Sequence, residues 1–93
     1  MSKTILIPTP LRPYANQQES LATQTLSIDA AMQELVHEFP KLNQYLYDNE
    51  NKLRKFINVF VNGKDIRDLE GVDTPLADGD EVALVPAIAG GIA

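Results

Sequence analysis

Phe56-Ile57-Asn58-Val59-Phe60-Val61-Asn62-Gly63 carries the strongest structural signal in this 93-residue chain. Six residues rich in β-branched and aromatic side chains read as a strand. Asn62-Gly63 follows at once, and this pair suits a two-residue hairpin turn whose central positions both need positive φ. Residues 64–66 then form a short return strand. Further on, Asp78-Gly79-Asp80 marks another turn. It feeds a last strand over residues 81–85, closed by Pro86.

Upstream, residues 48–55 are polar and read as a loop, and residues 42–47 as a short turn of helix. Before Pro40, the residues Ile28, Met32, Leu35, Val36 and Phe39 recur at helical spacing and share one face. Ser27 fits the N-cap, with Asp29 in the first turn where the helix dipole favours negative charge. Two earlier strands are expected, over residues 4–7 and 19–25. Pro8-Thr9-Pro10 ends the first because proline removes ladder donors, and residues 11–16 continue as an extended loop or turn. The order β-β-α-β-β-β predicts an α+β protein, with one mixed sheet and one main helix packed on one face. It is the order expected of a ubiquitin-like β-grasp fold. Residues 1–86 form the domain and residues 87–93 a flexible C-terminal tail.

Period two sorts the strand residues into faces. Ile5, Ile7, Ile57, Val59, Val61, Val82 and Leu84 point at the helix. Leu6, Phe56, Phe60 and Val85 fall on the opposite face, which a solvated sheet normally fills with polar groups. If their strands are neighbours, Leu6, Phe60 and Val85 form an exposed apolar patch leading toward the C-terminus, and Ile88 extends it. Contiguous exposed apolar surface marks protein-binding sites, although single apolar side chains at a surface are ordinary.

The tail is the second informative feature. Gly90-Gly91 is followed by Ile92 and Ala93, and residues 86–93 carry no charged side chain. Two residues without Cβ suit a segment that threads a narrow channel, and weakly anchored chain ends fray. Such an end is a handle that an enzyme could grip and modify; the plain alternative is an accidental tail.

Thirteen carboxylates against eight cations give a net charge of -5. That balance repels phosphate backbones and anionic lipid, so neither nucleic acid nor a membrane is expected as partner, and a protein with a basic docking face is. Cysteine is absent, which excludes disulfides, thiolate metal sites and a cysteine nucleophile. The apolar run near the start is too short for a signal peptide and no stretch approaches a membrane span, so a cytoplasmic location is expected.

Nothing points to an enzyme. His37 is the single histidine, expected as a solvated side chain near the helix C-terminus, and alone it makes a metal site improbable. Asp65/Asp68 and Asp78/Asp80 lie where aspartates cap turns. There is no nucleophile elbow and no phosphate-cradling glycine loop.

With these elements in place, the chain resembles the ThiS/MoaD-type sulfur-carrier family of ubiquitin-like proteins, and within it the carriers serving cysteine biosynthesis. The matching stretches are Ile7-Pro8-Thr9-Pro10-Leu11-Arg12-Pro13-Tyr14, Phe56-Ile57-Asn58-Val59-Phe60-Val61-Asn62, and Ala77-Asp78-Gly79-Asp80 with Val85-Pro86-Ala87-Ile88-Ala89-Gly90-Gly91. The resemblance implies that Gly91 carries a thiocarboxylate and that Gly90 and Ala89 thread a catalytic cleft, with Leu6, Phe60, Val85 and Ile88 docking the partner. It implies an adenylating, E1-like sulfur-transferring enzyme, a pyridoxal-phosphate-dependent sulfhydrylase and a zinc metallopeptidase as partners. ATP and the sulfide source belong to those enzymes, and this chain itself binds no cofactor or metal.

One departure stands out. Most such carriers end at the second glycine, whereas Ile92-Ala93 follow it here, so peptidase removal of these two residues is expected. Two other readings share the fold: a ubiquitin-like modifier joined to target lysines through Gly91, and a plain interaction domain.

Overall fold

Asn62 and Gly63 have φ of 51° and 86° in the computed structural model, which describes residues 2–86. Both central positions of the turn are therefore left-handed, as a tight right-twisted hairpin requires. The hairpin joins β3 (Ile57–Val61) to β4 (Lys64–Asp65). The other strands are β1 (Lys3–Leu6), β2 (Ser20–Thr23) and β5 (Glu81–Pro86). They form one sheet in the order β2-β1-β5-β3-β4. β1 and β5 run parallel and the remaining neighbours antiparallel, which is the mixed β-grasp sheet. The expectations for Ile88, Ala89, Gly90, Gly91, Ile92 and Ala93 lie outside the described residues.

α1 (Ile28–Glu38) crosses one face. Ser27 caps it, its hydroxyl accepting from the Ala30 amide at 3.2 Å, and His37 sits in its last turn. Ile28, Met32, Leu35 and Phe39 are buried together with Ala31. They pack on Ile5, Ile7, Ile57, Val59, Val61, Val82 and Leu84, all at most 7% exposed. The alternation expected from the strands thus selects the core residues correctly. After Phe39 a 3-10 turn (Pro40–Leu42) leads into the short α2 (Asn43–Leu46).

Two local expectations shift and one open choice is settled. Phe56 precedes β3 instead of opening it, and its ring lies under the Arg54 guanidinium, 5.9 Å from ring centroid to Cζ. Ile66 leaves the return strand for a 3-10 turn (Ile66–Asp68), because Asp65 accepts from the Arg67 amide at 2.9 Å and bends the chain after two residues. Of the two options for the connection after β1, an extended loop or a turn, the chain takes the turn, as a 3-10 segment (Thr9–Tyr14). Proline sits in its first turn, where a fixed φ favours helical entry, and the Leu11 amide closes the turn on the Pro8 carbonyl at 2.9 Å.

Candidate functional site: the outer sheet face at the end of β5

The strand registers place five residues in one row across the sheet: Ser20, Leu6, Ala83, Phe60 and Asp65. Cross-strand partners share a face, so Leu6 and Phe60 flank Ala83 on the side away from α1. One step nearer the end of β5, Val85 pairs with Asn58. Val85 is 45% exposed, while Leu6 and Phe60 are half-buried. Leu6, Phe60 and Val85, proposed from alternation alone, therefore lie on three adjacent strands. The next pair, Ile57 with Pro86, ends the described chain at the edge of this surface.

A polar rim borders the patch at β4. Arg67 donates from Nη2 to Asp65 Oδ2 at 2.6 Å and to Asn58 Oδ1 at 2.8 Å, and its Nε–H also faces Asp65. The side-chain hydrogen bond from Arg67 holds the Asp65 carboxyl below the usual carboxylate range, and Asp65 in turn raises Arg67. Sequence reasoning passed over Asn58 and Arg67. Asn58 stands two residues before Phe60 and so shares its face, which was a usable signal; the reach of Arg67 across β4 was not.

After β1, the segment quoted for the resemblance acts as a staple. Leu11 is buried in the core. Arg12 donates from Nε to the Ile7 carbonyl at 3.0 Å, where β1 has ended. Tyr14 stacks on Tyr45, with centroids 4.4 Å apart. The Arg12 contact fixes the chain just after β1, and Leu11 and Tyr14 tie the segment that follows to the core.

Asp65 and Asp80 act as turn caps, whereas Asp78 pairs with the buried Lys3 ammonium at 3.7 Å. Asp80 accepts from the Ala77 amide at 2.8 Å and from Asn62 Nδ2 at 2.9 Å, which holds its carboxyl below the ordinary range. Among the described residues no group of three or more His, Cys, Asp or Glu could hold a metal ion, and no helix is long and apolar enough to cross a membrane. A broad groove of about 970 Å³ runs between α1 and the end of β2, past Gln33, Glu34 and His37. None of its lining residues belongs to β3 or β5, and Glu34 is committed to the Thr23 hydroxyl.

A model of the ThiS family matches residues 5–91 of the sequence. The sulfur carrier protein CysO of Mycobacterium tuberculosis is 37% identical over 93 residues, covering 98% of this chain and 100% of that one. Its crystal structure superposes with a TM-score of 0.82 at 34% identity, over 92% of this chain and 99% of the other. A chain of the Amycolatopsis orientalis BexX/CysO complex gives a TM-score of 0.85 at 31% identity, over 96% and 99%.

Proposed function

This chain belongs to the ThiS family, and on that premise we propose that it is a sulfur carrier whose Gly91 bears the sulfur as a thiocarboxylate. The observation that carries the reading is the family match running through Gly90-Gly91, directly beyond a folded body that keeps an apolar sheet face beside Pro86. A carboxylate is a poor electrophile. An adenylating partner using ATP would join it to AMP with release of pyrophosphate, and sulfide would then displace AMP to leave the thiocarboxylate. The carrier's own residues supply recognition: Leu6, Phe60 and Val85, extended by Ile88, dock the enzyme, while Ala89 and Gly90 offer little bulk to a narrow cleft.

Removal of Ile92 and Ala93 by a zinc metallopeptidase would come first, since the reacting carboxyl is that of Gly91. The acceptor would be an activated amino-acid intermediate held by a pyridoxal-phosphate-dependent sulfhydrylase, yielding cysteine after the same peptidase frees the product. The similarity to CysO, named as a sulfur carrier, supports this route, and the BexX/CysO complex supports a folded enzyme as partner. A cytoplasmic site of action follows from this chemistry.

Intact-mass spectrometry of the protein isolated from sulfur-limited native cells tests the reading. The expected species ends at Gly91 and carries the mass change of one oxygen-for-sulfur exchange. Only the 93-residue form would refute it, and a ladder of larger protein adducts would assign the chain to lysine modification instead.

A further inference from the structure

Charge in this chain is unevenly placed. Residues 52–67 hold five of the eight cations and one of the thirteen carboxylates; the rest of the chain holds three cations and twelve carboxylates. The fold gathers part of that basic segment around a groove of about 370 Å³ along the β3 side of the sheet. Arg54, Lys55 and Arg67 line it, over an apolar floor that includes Ile57, Val59 and Val72. The single carboxylate at its wall, Asp65, is already taken by Arg67 at 2.6 Å, leaving Arg54 and Lys55 without a carboxylate among the lining residues. Arg54 is held in place, donating Nε–H to the Gln44 carbonyl at 2.9 Å. Lys55 and Val72 are exposed.

We infer that this groove docks an acidic, extended segment of a partner protein, one carrying an apolar side chain between its carboxylates. Oppositely charged surfaces steer and register such encounters, and here the basic ground lies on a molecule that is otherwise acidic. A bare phosphate would leave the exposed Val72 side chain uncovered. A nucleic acid would bring its backbone against the twelve carboxylates outside this segment. A two-fold pair of this chain through the same edge would set cation against cation, because an isologous contact matches a patch with itself. The groove opens beside Ile57, whose cross-strand partner is Pro86, so the occupant lies next to the last described residue of β5. The site shares Asp65 and Arg67 with the rim of the outer face but none of its apolar residues Leu6, Phe60 and Val85, and it involves no sulfur chemistry. Its failure therefore leaves the carrier reading untouched.

The test is a titration of the full chain with the blocked peptide Glu-Glu-Leu-Glu-Glu, followed by two-dimensional amide NMR. Amides of residues 54–57 and 71–72 should shift. Binding should weaken at least tenfold in the Arg54→Gln/Lys55→Gln double variant. It should also weaken on raising ionic strength from about 0.01 M to about 1 M, which shortens the Debye length from about 30 Å to about 3 Å. Lys55→Gln and Val72→Ser, each at an exposed position, should weaken it about threefold singly, a readout that survives if the Arg54 change disturbs the fold. Shifts centred elsewhere, equal binding of Glu-Glu-Ser-Glu-Glu, or equal displacement of the same amides by inorganic phosphate would each overturn the assignment. Concentration-dependent self-association through these amides would do the same.

Discussion

Adjacent residues of β5 separate folding from docking, and the pair Val85→Asp and Leu84→Ala exploits it. Leu84 points at α1 and is 3% exposed. Removing its branched end leaves a cavity and costs about 3 kcal/mol, lowering Tm by roughly 12–24 °C in a domain of this size. Val85 faces the other way and is 45% exposed, so only part of the ~1.5 kcal/mol available from burying valine is at stake. Aspartate also disfavours strands on a scale spanning ~1 kcal/mol. The new carboxylate would stand opposite Asn58, which already receives Arg67, and that guanidinium offsets some of the cost. A net loss of about 1 kcal/mol, or roughly 4–8 °C in Tm, is expected. Docking should respond in the reverse order. A partner packed over Val85 would have to bury an unpaired charge, at a cost of 2 kcal/mol or more, which is about thirtyfold in affinity. Calorimetric unfolding and titration calorimetry with the adenylating enzyme measure both quantities. The reasoning fails if folded Val85→Asp binds like the wild type, or if it destabilises more than Leu84→Ala.

Other expectations follow from single features. Gly63→Ala meets no atom within 4 Å of the new Cβ but keeps φ at 86°, so its cost is backbone strain alone, about 1 kcal/mol, read as a fall in Tm with unchanged docking. The carboxyls of Asp48, Asp65 and Asp80 sit below their ordinary range, held by backbone amides at Asp48 and Asp80 and by Arg67 at Asp65. Their contribution is therefore present above pH ~4 and lost as the folded forms protonate below it; Asp80→Asn should flatten the acid limb of a stability-pH curve. Burial, and secondarily the Asp29 carboxylate, pushes the Tyr47 phenol up to about 12. The raised value makes its contribution full below pH ~10 and lost on approach to pH 12. The Tyr45 phenol is raised as well, by its hydrogen bond with Tyr14, so ultraviolet titration should show more than one late tyrosine, and Tyr47→Phe should remove the component near 12.

What the sequence revealed, and what it hid, divides by the range of the interaction. Alternation and helical spacing are local, and they placed Ile5, Ile7, Val59 and Val82 in the core, with Leu6, Phe60 and Val85 on the outer face, before any coordinates. Asn62-Gly63 fixed its turn because few pairs tolerate two left-handed residues in succession. The miss at β4 came where a side chain settles a backbone choice: Asp65 bends the chain before Ile66 can extend the strand, while the stretch after β1, open between an extended loop and a turn, is closed into a 3-10 turn at Pro10 and Leu11. The rim formed by Asn58, Asp65 and Arg67 depends on strand adjacency, which no single-strand pattern contains.

Net charge also hides a local pattern, because -5 is the sum of +4 over residues 52–67 and -9 over the rest of the chain. A basic partner suits the acidic majority of the molecule, yet the ground along β3, beside the end of β5, calls for carboxylates. A partner seated on both surfaces must therefore carry an acidic segment where it meets the end of β5 and present apolar side chains to Leu6, Phe60 and Val85. Charge reversal at Lys55 and truncation at Phe60 then act on different terms of the same encounter. The first should change the association rate and its salt dependence, and the second the dissociation rate. Stopped-flow binding at two ionic strengths separates them, and a salt-independent effect of Lys55→Glu would remove the basic ground from the partner's footprint.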